Sequence, residues 1–198
     1  MSFLFDPENL LPYDGIAIYH GVVFNEQEAN GICKNLLDTI PWKQDEVVMF
    51  GKKIITKRKV AWYADTGICY TYAGVKKSGL EWTSALFGIK QKVEAMTGAK
   101  YNACLLNLYH EGEEGMGWHQ DNEKEIVEAS SIASLSFGAV RKFAFKHAKT
   151  NERVDIELAH GSLLDMKGTI QANWYHSLPK TTRVKQVRIN LTFRLMHA

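Results

Sequence analysis

The sequence has few of the residues that mark specialised classes of protein, with only three cysteines and four prolines in 198 residues. Cys33, Cys69 and Cys104 are too few and too scattered for a disulfide framework or a zinc knuckle, and their odd number is typical of a reducing compartment. No run approaches the roughly 20 apolar residues that span a bilayer. The N-terminus lacks the basic start and apolar run of a signal peptide. We therefore expect a soluble, intracellular protein with no membrane partner.

Strong charge of either sign is also missing, because the formal net charge is only +2. A general electrostatic argument for nucleic-acid binding is therefore not possible, and such an argument has to come from local clusters. The composition is 45% hydrophobic and 23% charged, which is ordinary for a globular protein. The length and the absence of repeats or linkers predict one domain.

Two amphipathic helices can be read in the first half of the chain. Asn25 is a suitable cap for a helix that runs to about Thr39, with apolar residues at three- and four-residue spacing. A second helix is predicted from about Glu81 to Thr97, with Gly98 as its C-terminal cap.

The second half is rich in short apolar or alternating runs separated by Gly, Asn, Asp and Pro. Six or more strands of this length indicate a β-sandwich or barrel-like jelly roll, behind the two N-terminal helices. The predicted strands are Ala103–Tyr109, Ser131–Phe137, Lys142–Lys146, Val154–Leu158, Ser162–Met166 and Val187–Arg194.

A possible metal site begins with His119 and Asp121, which are two residues apart. In an extended segment alternate side chains share a face, so both can point to one ion. A third ligand has to come from elsewhere, and our candidate is His176. Two histidines and one carboxylate leave open positions on an octahedral ion, which is the arrangement used for non-haem Fe(II). The pair alone is weak evidence, and histidines such as His147 and His160 usually have structural roles.

The C-terminal run from Arg188 to Arg194 alternates strictly between polar and apolar residues. On a strand, one face would be apolar and the other would carry Arg188, Asn190, Thr192 and Arg194. An exposed strand of this pattern would need no explanation. If the polar face instead lines an interior, the two arginines need anionic partners, and a dicarboxylate such as 2-oxoglutarate supplies two.

In this order and spacing, the motifs resemble the AlkB family of nucleic-acid dealkylating dioxygenases. The resemblance covers roughly residues 45 to 195 and is specific because several motifs are linked. They are His119-x-Asp121, His176, Arg188-x-Asn190-x-Thr192-x-Arg194, Asn107-Leu108-Tyr109-x-x-Gly112, Ser134-Leu135-Ser136-Phe137-Gly138, Ala159-His160-Gly161-Ser162-Leu163 and Trp174-Tyr175-His176-Ser177-Leu178-Pro179.

The resemblance implies an α+β fold, a double-stranded β-helix (jelly roll) buttressed by N-terminal helices. Helices and nucleotide-recognition hairpins would occupy about residues 1–100, and the jelly-roll core residues 101–198. It also implies Fe(II), 2-oxoglutarate and O2 as cofactors, with His176 rather than His160 as the third iron ligand. The reaction would oxidise an N-alkyl carbon and release succinate, CO2 and, from a methyl group, formaldehyde.

Site residues carry over from the resemblance at matching positions. Arg188 and Asn190 would bind the distal carboxylate of 2-oxoglutarate, with a hydrogen bond from Tyr109. Arg194 and Asn107 would serve the end that chelates iron, and Thr192 is a further contact.

The substrate side rests on a basic stretch with five Lys or Arg residues among the eight from Lys52 to Lys59. An ordinary solvated hairpin has the same composition. However, an apolar wedge beside basic residues is a known means of entering a base stack, and the stretch is similar to the hairpin of an animal AlkB homologue that prefers double-stranded DNA. The predicted DNA-contact hairpin contains Met49, Phe50, Gly51, Lys52 and Arg58.

The same resemblance places a flipped base in a pocket lined by Tyr70, Tyr72, His119 and Glu123, since the base has to leave the duplex to react. Tyr72 and Asn122 depart from that relative, which leaves the base preference open. We expect a monomer that acts on DNA, double-stranded by preference, in the bacterial cytoplasm or the eukaryotic nucleus. The alternatives are the same chemistry on RNA or on a protein or lipid-like substrate, and a non-enzymatic binding module.

Overall fold

The structure is a computed structural model that describes residues 8–49, 52–72 and 75–197, without the side chains of residues 45–49, 52–54, 70–72 and 75–77. Its elements along the chain are β1 (Ile16–Val22), α1 (Glu26–Thr39), β2 (Lys43–Met49), β3 (Lys52–Ala64), β4 (Cys69–Tyr72), β5 (Val75–Ser78), α2 (Ser84–Thr97), β6 (Ala103–Tyr109), β7 (Met116–His119), β8 (Ile132–Gly138), β9 (Arg141–His147), β10 (Arg153–Leu158), β11 (Ser162–Lys167), α3 (Ile170–Asn173), β12 (Trp174–Leu178) and β13 (Arg188–Arg194).

Two antiparallel sheets form the body of the protein. The large sheet has the strand order β1-β11-β8-β13-β6-β3-β2, and the small sheet has the order β10-β9-β12-β7, while β4 and β5 pair separately. Two facing antiparallel sheets with helices on one outer side confirm the predicted jelly roll. Among the described residues, no helix has the length and apolar character to cross a membrane.

The helices pack on the outer face of the large sheet because the sequence presents matching apolar faces. On β13, Ile189, Leu191 and Phe193 are fully buried in one cluster with Leu36 of α1 and Leu86 of α2. The alternate residues of β13 turn toward the small sheet. All seven residues of the strand are buried, so of the two alternatives that the pattern left open, the interior polar face is the one observed.

Local sequence signals explain where α1 begins and where α2 begins and ends. The predicted start of α1 is confirmed: the Asn25 side chain accepts from the Glu28 N–H and the Glu28 side chain accepts from the Asn25 N–H, a capping box. The second helix begins at Ser84 rather than Glu81, because the Thr83 side chain caps it by accepting from the Leu86 N–H. Gly98 closes α2 as predicted, with a left-handed φ of 70°.

The N-terminal half contributes more to the sheets than the sequence pattern predicts. Strands β1, β2 and β3 supply three of the seven strands of the large sheet, and β3 pairs directly with β6. The large sheet therefore extends beyond the expected jelly-roll core over residues 101–198 into residues 16–64. Strand β1 (Ile16–Val22) contains a β-bulge between Tyr19 and Gly21. The bulge interrupts the period-two alternation of side chains by which a strand is recognised in a sequence.

Candidate active site

Strand pairing brings two of the three predicted metal ligands together. On the small sheet β12 pairs with β7, and His176 is directly opposite His119, with 4.2 Å between the ring centroids. Asp121 follows two residues beyond the end of β7, so it lies outside the strand that the sequence pattern assumed for it. Ligand atoms of His119, Asp121 and His176 all lie within 4.8 Å of one another, a geometry that could hold a metal ion.

Hydrogen bonds to neighbouring groups occupy one side-chain atom each of His119 and Asp121, and leave the other atom of each available to bind a metal. The Nδ1 of His119 is 2.9 Å from the carbonyl oxygen of Gly117, which can only accept, so in the neutral tautomer that fits this contact the proton is on Nδ1 and Nε2 has the lone pair. Arg194 donates to Oδ2 of Asp121. His119 Nε2 and the remaining Asp121 Oδ1 are 3.8 Å apart. Contacts of this kind orient ligands around a metal.

The electrostatics of the cluster keep its ligands in the protonation states that a metal needs. Burial alone would raise the pKa of Asp121, but the charge of Arg194 and the two histidines lower this pKa to about 2. Burial lowers the pKa of His176 to about 3. At neutral pH the site therefore offers a carboxylate and a neutral buried imidazole.

The predicted co-substrate residues and the metal cluster share one cavity between the two sheets. The nine predicted residues in its wall are Asn107, Tyr109, His119, Asp121, His176, Arg188, Asn190, Thr192 and Arg194. The pairing of β13 with β6 in the large sheet places four of these residues side by side, since Asn190 is opposite Asn107 and Arg188 is opposite Tyr109. Apolar side chains, including Met116, Phe143 and Leu178, complete the cavity.

Arg188 is a buried cation without an acidic partner among the residues that the structure describes. It is 2% exposed, its Nη2 donates to Ser136 Oγ at 2.9 Å, and its guanidinium lies 5.5 Å from the ring centroid of Tyr109. Burial lowers the pKa of Arg188 to about 10, so it remains charged at neutral pH. A buried charge of this kind calls for an anion from outside the protein.

Asn190 is held in one orientation by its neighbours. Its Nδ2 donates to Ser134 Oγ at 2.9 Å and to the Leu135 carbonyl at 3.2 Å, and its Oδ1 accepts from Thr192 Oγ1 at 3.0 Å. Thr192 therefore contacts Asn190 as well as lining the cavity. Across the strand pair, Oδ1 of buried Asn107 has no hydrogen-bond partner in the described residues.

Only some of the residues predicted to contact the substrate are among those that the structure describes. Phe50 and Gly51, and the side chains of Met49, Lys52, Tyr70 and Tyr72, lie outside them. The flanking strands are paired from Met49 and Lys52 onward, as a hairpin requires.

Two other substrate-side residues are described. Arg58 is 8% exposed, and its Nη1 lies 3.5 Å from Met116 Sδ, so its part in a DNA contact stays a prediction. Glu123 lines a separate depression on the far side of Asp121, with residues 126–130 and Gln171, and is not in the wall of the cavity.

The supporting roles of several residues around the site were not predicted from the sequence. Phe143 stacks on His176 with ring centroids 5.5 Å apart. Ser134 and Ser136 hold Asn190 and Arg188, and their alternation on one strand was the available signal. Arg141, 2% exposed, donates to four backbone carbonyls, those of Glu111, Gly112, Glu114 and Pro179.

His160, the alternative to His176 as third ligand, has a structural role. Its Nδ1 accepts from the Gly138 N–H at 2.7 Å, and its Nε2 lies 3.2 Å from Asn30 Oδ1 on α1. Gly138 has a left-handed φ of 84°, and a Cβ there would lie 2.2 Å from the Val187 carbonyl oxygen. This close approach sets the end of β8 against the start of β13, where Arg188 lies.

Comparison with known proteins gives a consistent result. The 2OG-Fe(II) oxygenase superfamily matches residues 15–194. DNA oxidative demethylase ALKBH2 of Mus musculus is 38% identical over 192 residues, which cover 91% of this chain and 80% of the relative. Alpha-ketoglutarate-dependent dioxygenase alkB homolog 3 of Rattus norvegicus is 34% identical over 192 residues, covering 92% and 64%. The solved structure of OsALKBH1 has a similar fold, with a TM-score of 0.58 and 14% identity over 93% of this chain and 98% of that chain.

These similarities confirm the family that the sequence motifs indicate. The cofactors of the superfamily are Fe(II), 2-oxoglutarate and O2, and the cluster of His119, Asp121 and His176 could bind the iron. The chain belongs to the AlkB family within the 2OG-Fe(II) oxygenase superfamily and is a dioxygenase.

Proposed function

We propose that this dioxygenase removes methyl groups from N-alkylated bases in DNA, of the 1-methyladenine and 3-methylcytosine type. The observation that carries the proposal is one cavity in which a histidine–aspartate–histidine cluster adjoins Arg188, which is buried and has no acidic partner among the described residues. The relatives named DNA oxidative demethylase support DNA as the substrate.

Iron is assigned to His119, Asp121 and His176 because their donor set fits it. Two imidazoles and one carboxylate, with no fourth protein ligand in the cluster among the described residues, are the donors of a non-haem Fe(II) site with open positions. When bound, the iron would supply the redox chemistry by which one O2 oxidises both 2-oxoglutarate, to succinate and CO2, and the methyl carbon, to a hydroxymethyl group that leaves as formaldehyde. The products are succinate, CO2, formaldehyde and the unmodified base.

The protein contributes binding and orientation of the co-substrate. Arg188 and Asn190, with Tyr109, would bind the distal carboxylate of 2-oxoglutarate, and Arg194 and Asn107 would serve the end nearest the iron. Thr192 donates a hydrogen bond to Asn190 Oδ1 and so fixes the orientation of the Asn190 side chain. The fixed donors need little rearrangement on binding, and Met116, Phe143 and Leu178 add apolar surface beside them.

The substrate base has to leave the duplex to reach a buried site. His119 has a side chain 34% exposed, so it borders the outside of the cavity and could lie beneath a flipped base. Tyr70, Tyr72 and Glu123 are our further candidates for the base pocket, and Met49 to Lys52 for the contact with double-stranded DNA. The enzyme would then act as a monomer wherever DNA is kept, in the bacterial cytoplasm or the eukaryotic nucleus.

The proposal is tested by turnover of oligonucleotides that carry one defined lesion, in single- and double-stranded DNA and in RNA. We expect lesion-dependent formation of succinate and formaldehyde, with double-stranded DNA preferred. Turnover of RNA alone would favour the RNA alternative. Absence of turnover on every nucleic acid, with iron bound, would favour a protein or lipid-like substrate.

Phe50→Ala separates these alternatives further. It should lower the rate on double-stranded DNA without changing the uncoupled consumption of 2-oxoglutarate, because an apolar wedge acts only on a stacked substrate. Ile55→Ala is the matched control, since Ile55 is an apolar residue five positions further along the chain, on β3, and is 58% exposed. Equal effects of both substitutions would exclude a wedge at Phe50.

A further inference from the structure

Gln171 is joined to the backbone of the metal ligand Asp121. The Asp121 N–H donates to Gln171 Oε1 at 2.9 Å. Because the donor is a backbone amide, the Gln171 atom that receives it has to be the carbonyl oxygen. Asp121 lies beyond the end of β7, so no strand pairing fixes its backbone. The side chain of Gln171 supplies the hydrogen bond that a neighbouring strand would otherwise give.

The short helix α3 that carries Gln171 is firmly held in the fold. Ile170 is 1% exposed, and Trp174 at the end of the helix is fully buried. Trp174 Nε1 donates to the Tyr13 carbonyl at 3.0 Å. A Cβ on Gly15 would lie 2.9 Å from Ile170 Cα, so the chain before β1 packs closely against α3. Gln171 therefore extends from a rigid support.

The position of α3 connects two of the ligand-bearing segments. It leads directly into β12, which carries His176, while the side chain of Gln171 reaches the segment after β7 that carries Asp121. His119 and His176 are fixed to each other by strand register. Asp121 is fixed instead by two side chains, with Arg194 on its carboxylate and Gln171 on its amide.

We propose that Gln171 is a positioning residue for the metal site, acting through Asp121 rather than by contact with the ion. The inference rests on the proposed assignment of iron to His119, Asp121 and His176. Without the side-chain oxygen of Gln171, the Asp121 N–H loses its hydrogen-bond partner. The Asp121 carboxylate can then turn away from the orientation that metal binding needs. Loss of a residue that orients a ligand typically weakens metal affinity ~10- to 100-fold.

Calorimetric titration of the metal-free protein with Co(II) tests the proposal without relying on activity. Gln171→Met keeps the length of the side chain and removes the acceptor, and Gln171→Leu is a second variant without an acceptor. Gln171→Glu restores an acceptor oxygen. Asn173→Ala is the matched control on the same helix, because the Asn173 side chain donates to the Thr169 carbonyl at 3.1 Å and does not bond to Asp121.

We expect both acceptor-free variants to bind Co(II) ~10- to 100-fold more weakly, with Gln171→Glu restoring most of the affinity and Asn173→Ala leaving it unchanged. Thermal unfolding of the metal-free protein should show that all four variants are folded at the temperature of the titration. Wild-type affinity in Gln171→Met or Gln171→Leu would overturn the proposal, and so would an equal loss in Asn173→Ala. If the wild-type protein bound no Co(II), the metal assignment itself would fail, which is a distinguishable result.

Discussion

Arg194 donates two hydrogen bonds to one oxygen of Asp121, from Nε at 3.2 Å and from Nη2 at 2.7 Å. The arginine belongs to β13 of the large sheet, and the aspartate follows β7 of the small sheet. This ion pair therefore joins the strand of co-substrate residues to the metal cluster. It also occupies Oδ2 and leaves Oδ1 on the side of His119.

Arg194→Met should destabilise the metal-free protein, because it leaves the carboxylate of Asp121, 5% exposed, without its guanidinium. Breaking one side of a buried pair costs about 3–5 kcal/mol, measured as the free energy of unfolding in urea. The control is Arg183→Met at an exposed position, for which we expect a change of about 0.5 kcal/mol or less. Similar losses in both variants would show that the ion pair has no special role.

Arg188→Met should abolish co-substrate binding without destabilising the ligand-free protein. Removing a bidentate, charge-assisted contact costs about 3 kcal/mol or more, which is roughly 100-fold or more in the KM for 2-oxoglutarate. The ligand-free protein should be as stable as the wild type or more so, because the substitution removes a buried charge that has no acidic partner among the described residues.

Arg141→Met is the matched control for Arg188→Met, since both arginines are 2% exposed. Arg141 donates to four carbonyls, so its loss should lower the free energy of unfolding by about 3 kcal/mol or more. Thermal unfolding with and without 2-oxoglutarate distinguishes the two. A destabilised, ligand-responsive Arg188→Met protein would contradict the assignment of Arg188 as the anion-binding residue.

His176→Ala should abolish metal binding, whereas His160→Ala should leave it unchanged. The first removes a proposed ligand, so Fe(II) affinity measured under anaerobic conditions should fall beyond detection. The second removes the acceptor for the Gly138 N–H and should cost about 1–2 kcal/mol of stability with no change in metal affinity. Loss of metal binding in His160→Ala at a temperature where the variant is folded would reverse this assignment.

Thr192→Val should raise the KM for 2-oxoglutarate about 5-fold and leave kcat nearly unchanged. The Thr192 hydroxyl donates to Asn190 Oδ1 at 3.0 Å, and a hydrogen bond of this kind contributes about 1 kcal/mol. Steady-state kinetics with varied 2-oxoglutarate provide the measurement. An unchanged KM would mean that Ser134 and Leu135 alone orient Asn190.

The helices and the arginine strand were predictable because their signals are local. The Asn25 cap and Gly98 follow from backbone chemistry, and the alternation from Arg188 to Arg194 matches the two faces of β13. The start of α2 was wrong by three residues, since Thr83 was not recognised as its cap. Strand ends elsewhere were close, as for Arg153–Leu158 against a predicted Val154–Leu158.

The contacts between distant segments were not predictable from local pattern. No periodicity indicates that β7 pairs with β12, that Arg194 reaches Asp121, or that Gln171 binds the Asp121 amide, since each depends on tertiary packing. Arg141 and Arg188 are equally basic and equally buried, and only the structure shows that one holds backbone carbonyls while the other faces the cavity. The three proposed metal ligands were predicted through the family motifs rather than through spacing alone, and the structure brings them together.

The most direct test of the proposed function is the stoichiometry of turnover on a double-stranded oligonucleotide with one 1-methyladenine. We predict that repaired adenine, formaldehyde and succinate appear in equal amounts, only with Fe(II), 2-oxoglutarate and O2 present, and that Asp121→Ala abolishes all three. If wild-type protein with iron bound released no formaldehyde and left the lesion intact in DNA of either strandedness, DNA demethylation would be excluded as its function.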